Sequence, residues 1–530
     1  MFTKLFGIIK RKDNPVSTEA GLNALLRGMP SDDLNFIGAV DEWLQNLPAL
    51  VNETGLEICL RAAMHFDHAS RQVVSSLLRD YLTPESDRHL SKLIHHKLNF
   101  HAEKLCDAYS LVVGNDDHAH DNAPKQTNPD VSPQIQKAVG LAYFRAVSLL
   151  FRLSKFRYQK LGAKSWQQTH AMLRHFHERE NVTDATASGY DPNSDYFREY
   201  LRIVCLALVP ISNLSPQQLE FVARMLAGVN NIQCSPAPDS DTTHLIDISS
   251  DVGPIPYKQD YWPAEGAVLF YLSVSSLRGV VRKFQEALGS KLPLPRDFAD
   301  LPINRSQVVG VLSVLNTHWT DEPPNRCSDR IAAIEAMRGA LGFNPALDLV
   351  EISEQTHGEG PITDPHSELL NRLWQLEEKV DKHRLEDWIQ VDGSDEGLGI
   401  SIPMIQSRHV AGSLVSMRYA DEPGWHLGII RRVGIDKDGN PRLGLRTFPG
   451  SPKIVQVHMS ENDGQSAKAE SETKAIAFDA NNHQLLLPSG TYAEGLKISF
   501  ALDSIQHQVS LIRLIEGGPD FELVEYSDLE

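Results

Sequence analysis

Two short polar signatures in this 530-residue chain hold the residue types best suited to gripping a nucleotide. The first pairs Arg326 with Arg330 in the run Arg-Cys-Ser-Asp-Arg. The second sets Asp392, Ser394 and Gly397 in a D-x-S-x-x-G spacing. A guanidinium is a planar fork of donors that clamps phosphate oxygens or the O6 and N7 acceptors of guanine, and its flat face stacks on a base. Guanine's opposite edge carries donors, for which an ionised carboxylate such as Asp392 is the matching acceptor. Ser394 adds a hydroxyl, and Gly397 lets backbone approach a ligand with no Cβ in the way.

Order, residue types and β context together resemble the paired ligand motifs of PilZ domains, the β-barrel receptors for the bacterial second messenger cyclic di-GMP. The arginine pair sits just before the expected barrel, as in that family. Strands expected over 427–432 and 443–448 resemble the hairpin that carries the family's Gly-Leu-x-Phe-like edge, and 414–418 resembles the preceding barrel strand. The resemblance covers the C-terminal part only. It implies a cyclic di-GMP receptor without catalysis or cofactor. Arg326 and Arg330 would clamp guanine and phosphate, while Asp392, Ser394 and Gly397 form the barrel-side wall. It also implies a relay, in which the arginine lead-in orders on binding and reorients the helical region toward an unidentified protein partner in motility, pili or biofilm control. Two features depart from the family. The motifs are further apart than usual, so 344–382 reads as an insertion with a charged helix over 367–384, and 331–341 has helix-like composition where the family has a strand.

The elements that must position these residues divide by pattern. From 388 onward the chain is β-rich, with short strands expected over 414–418, 425–433, 441–448, 454–459, 475–478, 484–487, 496–502, 508–515 and 521–526. Lys437-Asp438-Gly439-Asn440 is a strong hairpin signal. This density predicts a barrel followed by a small C-terminal β module.

Upstream the pattern is helical. Ser31 is the expected N-cap of a helix carrying Leu34, Ile37, Val40, Leu44 and Leu47, stopped at Pro48. Leu56, Leu60, Met64, Val73, Leu77 and Tyr81 mark a second helix, and 89–113 a third. Residues 114–134 are polar and read as a linker. Val139, Tyr143, Val147, Leu150 and Leu153 resume the helical stripe, and Ser215-Pro216 announces another helix start. A strand over 244–248 and helices over 267–288 and 303–319 follow. The fold class is therefore α+β multidomain, divided at 1–113, a linker at 114–134, a mainly helical 135–318, the barrel at 319–450 and the β module at 451–530. The helical region carries no family resemblance of its own.

Composition narrows the function. A net charge of -18 argues against binding nucleic-acid polymers over the whole surface, without opposing a small basic pocket. The five cysteines include no C-x-x-C pair, so a reducing cytosol is the simplest setting and a zinc site is not expected. Histidine pairs such as His95/His96 and His118/His120 lack zinc spacing and read as surface residues. No secretory leader or membrane-spanning run is expected from the apolar patterns. Walker, dinucleotide-fold and nucleophile-elbow motifs are missing from the sequence, which places a hydrolase last. The alternative to the receptor is a ligand-free structural adaptor whose helices scaffold an assembly.

Overall fold

The computed structural model describes residues 14–83, 88–113, 131–183, 195–258, 263–289, 294–320, 331–357, 385–394, 397–406, 408–419, 422, 424–436, 438–459, 471–478 and 483–529. A helical N-terminal region is followed by two closed six-stranded barrels.

The helical region begins with α1 (Glu19–Arg27), α2 (Asp33–Thr54), α3 (Leu56–Leu82) and α4 (Arg88–Ser110). Asp32, rather than Ser31, caps α2, its side chain accepting the Asn35 N–H at 3.0 Å. Pro48 does not stop this helix, which runs through it to Gly55. Proline removes one ladder hydrogen bond, but Ile37, Val40, Leu44 and Leu47 are all buried, and that apolar stripe outweighs the loss. The helix ends where Gly55 takes φ 92, a conformation that suits glycine.

Next come α5 (Pro133–Phe156), α6 (Ala163–Thr183), α7 (Asp195–Ala207) and α8 (Pro216–Ala227). Ser215 and Gln218 form the reciprocal capping box at the start of α8. A four-stranded sheet then joins β1 (Cys234–Ser235), β2 (His244–Asp247), β3 (Ile255–Pro256) and β4 (Leu269–Leu272) in the order β1-β4-β2-β3. The expected helix over 267–288 is thus two elements, β4 and α9 (Ser275–Gly289). Pairing of β4 with β1 and β2 decides this, because it buries Phe270 and Leu272 on the inner face, Phe270 against Phe197. The region closes with α10 (Arg305–His318). Buried side chains from both sides of 114–130 share one hydrophobic cluster, from Val16 to Trp319. Among the described residues no helix is long and apolar enough to cross a membrane.

The first barrel contains β5 (Ile331–Leu341), β6 (Glu386–Ser394), β7 (Gly397–Ser401), β8 (Leu414–Tyr419), β9 (His426–Ile435) and β10 (Pro441–Thr447), closed in the order β10-β7-β6-β5-β8-β9. The helix-like run 331–341 is therefore a strand. Its alanines and isoleucines tolerate both states, and tertiary packing chooses: Gly339 leaves room for the buried Trp388 ring, which a Cβ there would meet at 2.1 Å. Between β5 and β6, at the start of the expected insertion, lies α11 (Phe343–His357). The charged helix expected over 367–384 falls outside the described residues.

The C-terminal β module is itself a closed barrel of β11 (Pro452–Met459), β12 (Ser471–Phe478), β13 (Gln484–Pro488), β14 (Lys497–Leu502), β15 (Ile505–Gly517) and β16 (Phe521–Asp528). Its order is β11-β12-β13-β16-β15-β14. Helix α11 is the filling between the barrels. Phe343, Ala346 and Val350 bury against Leu414, Leu427 and Ile429 of the first and Phe478, Leu486 and Phe521 of the second. Asp520 fixes its start by accepting the Phe343 N–H at 2.6 Å. Asn304, which caps α10, donates to Ser489 Oγ at 3.1 Å and so ties the helical region to the second barrel.

Candidate functional site

The D-x-S-x-x-G signature folds as the β6–β7 hairpin. Its alternation is broken once. Gln390 pairs with Ile400 and Asp392 with Gly399, so Val391 is an extra residue on β6. Such a bulge moves every later side chain to the other face. Gln390 stays inside, buried, with the Tyr419 hydroxyl donating to its Oε1 at 2.6 Å. Asp392 pairs with Gly399, whose neighbour Ile400 lines the barrel core, so Asp392 and Ser394 stand on the outer face. Ser394 Oγ donates to the Gly397 carbonyl at 3.3 Å, closing the hairpin. Gly397 is required by packing: a Cβ there would lie 2.1 Å from the Leu445 carbonyl oxygen of β10.

Arg326 and Arg330 lie outside the described residues. The strand that follows them is described, and its register is informative. Ile331 pairs with Gly393 and Ala332 with Asp392. The described structure thus brings Asp392, Ser394 and Gly397 together, with Ile331 and Ala332 of β5 paired beside them.

The four arginines of the β9–β10 hairpin divide in a way their spacing did not reveal. Arg431 Nη2 and Arg446 Nη2 both reach Glu516 Oε2 of the second barrel, at 2.6 and 3.0 Å. Arg442 Nε donates to Asp436 Oδ2 at 2.8 Å within the hairpin turn. Arg432 is exposed and lies over Gly444, the would-be Cβ of which falls 3.3 Å from Arg432 Cβ.

A buried polar cluster braces the same barrel at its junction with the helices. Glu386 Oε2 accepts from His409 Nε2 at 2.8 Å and from Trp388 Nε1 at 3.0 Å, and Oε1 accepts from Arg408. His409 Nδ1 accepts the Gln406 N–H at 2.9 Å, which leaves its proton on Nε2 for Glu386. Burial alone would raise the Glu386 carboxyl. The His409 and Trp388 hydrogen bonds and the Arg408 charge outweigh it and hold the pKa down to about 2. Just above sits Tyr158, which follows α5 at φ 57, an unusual conformation for tyrosine. Its ring belongs to the core cluster of the first barrel, with Met337, Trp388 and Val415. Burial pushes its hydroxyl pKa upward. A cavity of about 110 Å³ lies beside it, lined by Tyr81, Phe156, Gln217, Gln406 and Arg408 among others.

Sequence reasoning also passed over a buried chain in the helical region. Asp41 Oδ1 lies 2.6 Å from His101 Nδ1, and His101 Nε2 lies 3.1 Å from Ser70 Oγ. The order matches a Ser-His-Asp relay, yet the three residues are at most 2% exposed and the Ser70 hydroxyl donates to the Asp67 carbonyl at 2.9 Å. The chain acts as a brace between α2, α3 and α4. The signal available was a carboxylate, Asp41, within the apolar stripe of α2. His95, expected at the surface, is half-buried instead. Its Nε2 donates to the Leu153 carbonyl at 2.9 Å, and burial lowers its pKa to about 4. Among the described residues no group of three or more His, Cys, Asp or Glu side chains could hold a metal ion.

Comparison with known proteins places a likeness in the other half of the chain from the two signatures. Residues 21–236 match the family model described as the N-terminal domain of the cyclic-di-GMP receptor FimW. The match begins in α1, ends at β1 and covers less than half of the chain. No curated protein matches it.

Proposed function

We propose that the chain is a cyclic di-GMP receptor that binds its ligand on the outer face of the first barrel, between the arginine lead-in and the β6–β7 hairpin. The observation that carries this reading is the register of β5. Ile331, directly after Arg330, stands opposite Gly393, and Ala332 opposite Asp392. The strand that begins directly after Arg330 thus runs beside the strand that carries Asp392, which supports one ligand for both signatures. The likeness of residues 21–236 to the N-terminal domain of a cyclic-di-GMP receptor supports the same ligand from a separate part of the chain.

In this reading the Arg326 and Arg330 guanidinium groups clamp guanine and phosphate while Asp392 accepts from the N1 and N2 edge. Ordering of the lead-in shifts the population between two arrangements of helices and barrel, because the ligand binds one better than the other. Tyr158, held in the barrel core at the end of α5, is the mechanical link through which that shift reaches the helices. The output is altered contact with a protein partner in the bacterial cytosol, in motility, pili or biofilm control. Calorimetric titration with cyclic di-GMP, beside GTP and cyclic di-AMP, tests the receptor. The expected result is micromolar or tighter binding, selective for cyclic di-GMP. Absence of heat and of any thermal shift at saturating ligand would leave the adaptor.

A further inference from the structure

Residues directly opposite each other in a sheet share a face. One such row crosses four strands of the first barrel. Asp392 pairs with Gly399, Gly399 with Gly444, and Gly444 with Arg432. The next row, Ile400, Leu443 and Val433, is buried in the barrel core, so the Asp392–Arg432 row faces outward. An acceptor stands at one end of the row and a guanidinium at the other. The two positions between them carry no side chain, Gly444 half-buried beneath the Arg432 stem and Gly399 buried.

We infer that Arg432 is a third ligand arginine and that this row is the cradle for one guanine. The inference rests on the receptor reading above. The base lies flat on the glycine strip with its N1 and N2 donors on the Asp392 carboxylate. Its O6 and N7 acceptors face the Arg432 fork, the arrangement in which arginine recognises guanine bidentately. The row spans about 14 Å between its end Cα positions, three strand gaps of about 4.8 Å, and both side chains shorten that gap to the scale of a purine.

Three observations favour Arg432 over its neighbours. Arg431 and Arg446 are committed to Glu516, and Arg442 to Asp436. Arg432 makes no ion pair among the described residues, and it is exposed. Its Cβ, Cγ and Cδ lie 3.3, 3.8 and 3.9 Å from the point a Gly444 Cβ would occupy, so the stem rests on the strip itself. A base stacked there requires that stem to lift, which its exposure permits. Serine or alanine at 444 would crowd the stem, and a larger residue would cover the cradle.

The test is a cycle between protein and ligand: wild type and Arg432→Ala, each titrated with cyclic di-GMP and with its 7-deaza analogue, which lacks the N7 acceptor. Wild type is expected to lose about tenfold in affinity for the deaza ligand. Arg432→Ala is expected to lose about tenfold for cyclic di-GMP and to make no distinction between the two ligands. Unchanged cyclic di-GMP affinity in Arg432→Ala, with wild type binding normally, would overturn the assignment and leave the receptor standing. So would a weakened variant that still distinguishes the deaza ligand as wild type does, since Arg432 would then contact something other than the N7 edge. No binding by wild type would remove the receptor reading and this inference together. A thermal melt of Arg432→Ala, expected to match wild type for an exposed side chain, checks that the variant is folded.

Discussion

Ala332 and Asp392 are register partners across β5 and β6, and Ala332 is the second residue after Arg330. The pairing joins residues sixty positions apart, because α11 follows β5 and β6 then pairs back along β5.

Gly397→Ala should damage fold and site together. The added methyl would sit 2.1 Å from the Leu445 carbonyl oxygen, which belongs to backbone and cannot swing aside. A cost of about 1–3 kcal/mol is expected from such overpacking, read as a lower melting temperature. Ser394→Ala removes one 3.3 Å hydrogen bond at the hairpin and should cost about 1 kcal/mol or less. Equal melting temperatures for Gly397→Ala and wild type would show that the β7–β10 contact is not as close as described.

Glu386 gives the first barrel a pH dependence with a defined sign. Its folded pKa, about 2, lies below the model-peptide value of 4.5. A carboxylate depressed on folding contributes stability that is full above its unfolded pKa and is lost as pH falls through the folded one. The window is therefore pH 4.5 down to about 2. Denaturant midpoints measured across that window should fall for wild type, and Glu386→Gln should flatten this part of the profile while lowering stability at pH 7. An unchanged acid profile in Glu386→Gln would assign the dependence to other carboxylates.

Tyr158→Ala should uncouple the helices from the barrel. The side chain is 7% exposed and its ring packs in the barrel core, so truncation should cost about 3 kcal/mol. Hydrogen exchange separates coupling from stability alone. Ligand added to wild type is expected to slow exchange in both β6 and the C-terminal half of α5. In Tyr158→Ala the protection should remain in β6 and vanish from α5. Protection of α5 persisting in the variant would mean that the signal leaves the barrel by another contact, such as Asn304 to Ser489.

Local pattern made most elements readable. Ser215-Pro216, the stripe of α5 and the Gly439 turn each depend on neighbours within a few residues, and each folds as its residues imply. Three failures share one cause. Pro48 inside α2, the strand β4 in place of a helix start and the alanine-rich β5 are all decided by partners distant in sequence: the core for the first, β1 and β2 for the second, Trp388 for the third. The site divides similarly. Asp392, Ser394 and Gly397 were visible as a motif. The Val391 bulge that turns Asp392 outward was not, because no residue type marks a bulge of this kind. In sequence Arg432 is not set apart from Arg431, Arg442 and Arg446, and its distinction lies in which carboxylates those three have found.

Whether the two signatures act on one ligand is decided by a double-mutant cycle. Cyclic di-GMP affinity would be measured calorimetrically for wild type, Asp392→Ala, the pair Arg326→Ala/Arg330→Ala, and all three changes together. Each set alone is expected to weaken binding by at least about tenfold, and the combined loss to fall short of the sum because both sets hold the same molecule. Affinity unchanged in Asp392→Ala, or losses that simply add, would contradict this and separate the arginine pair from the barrel face.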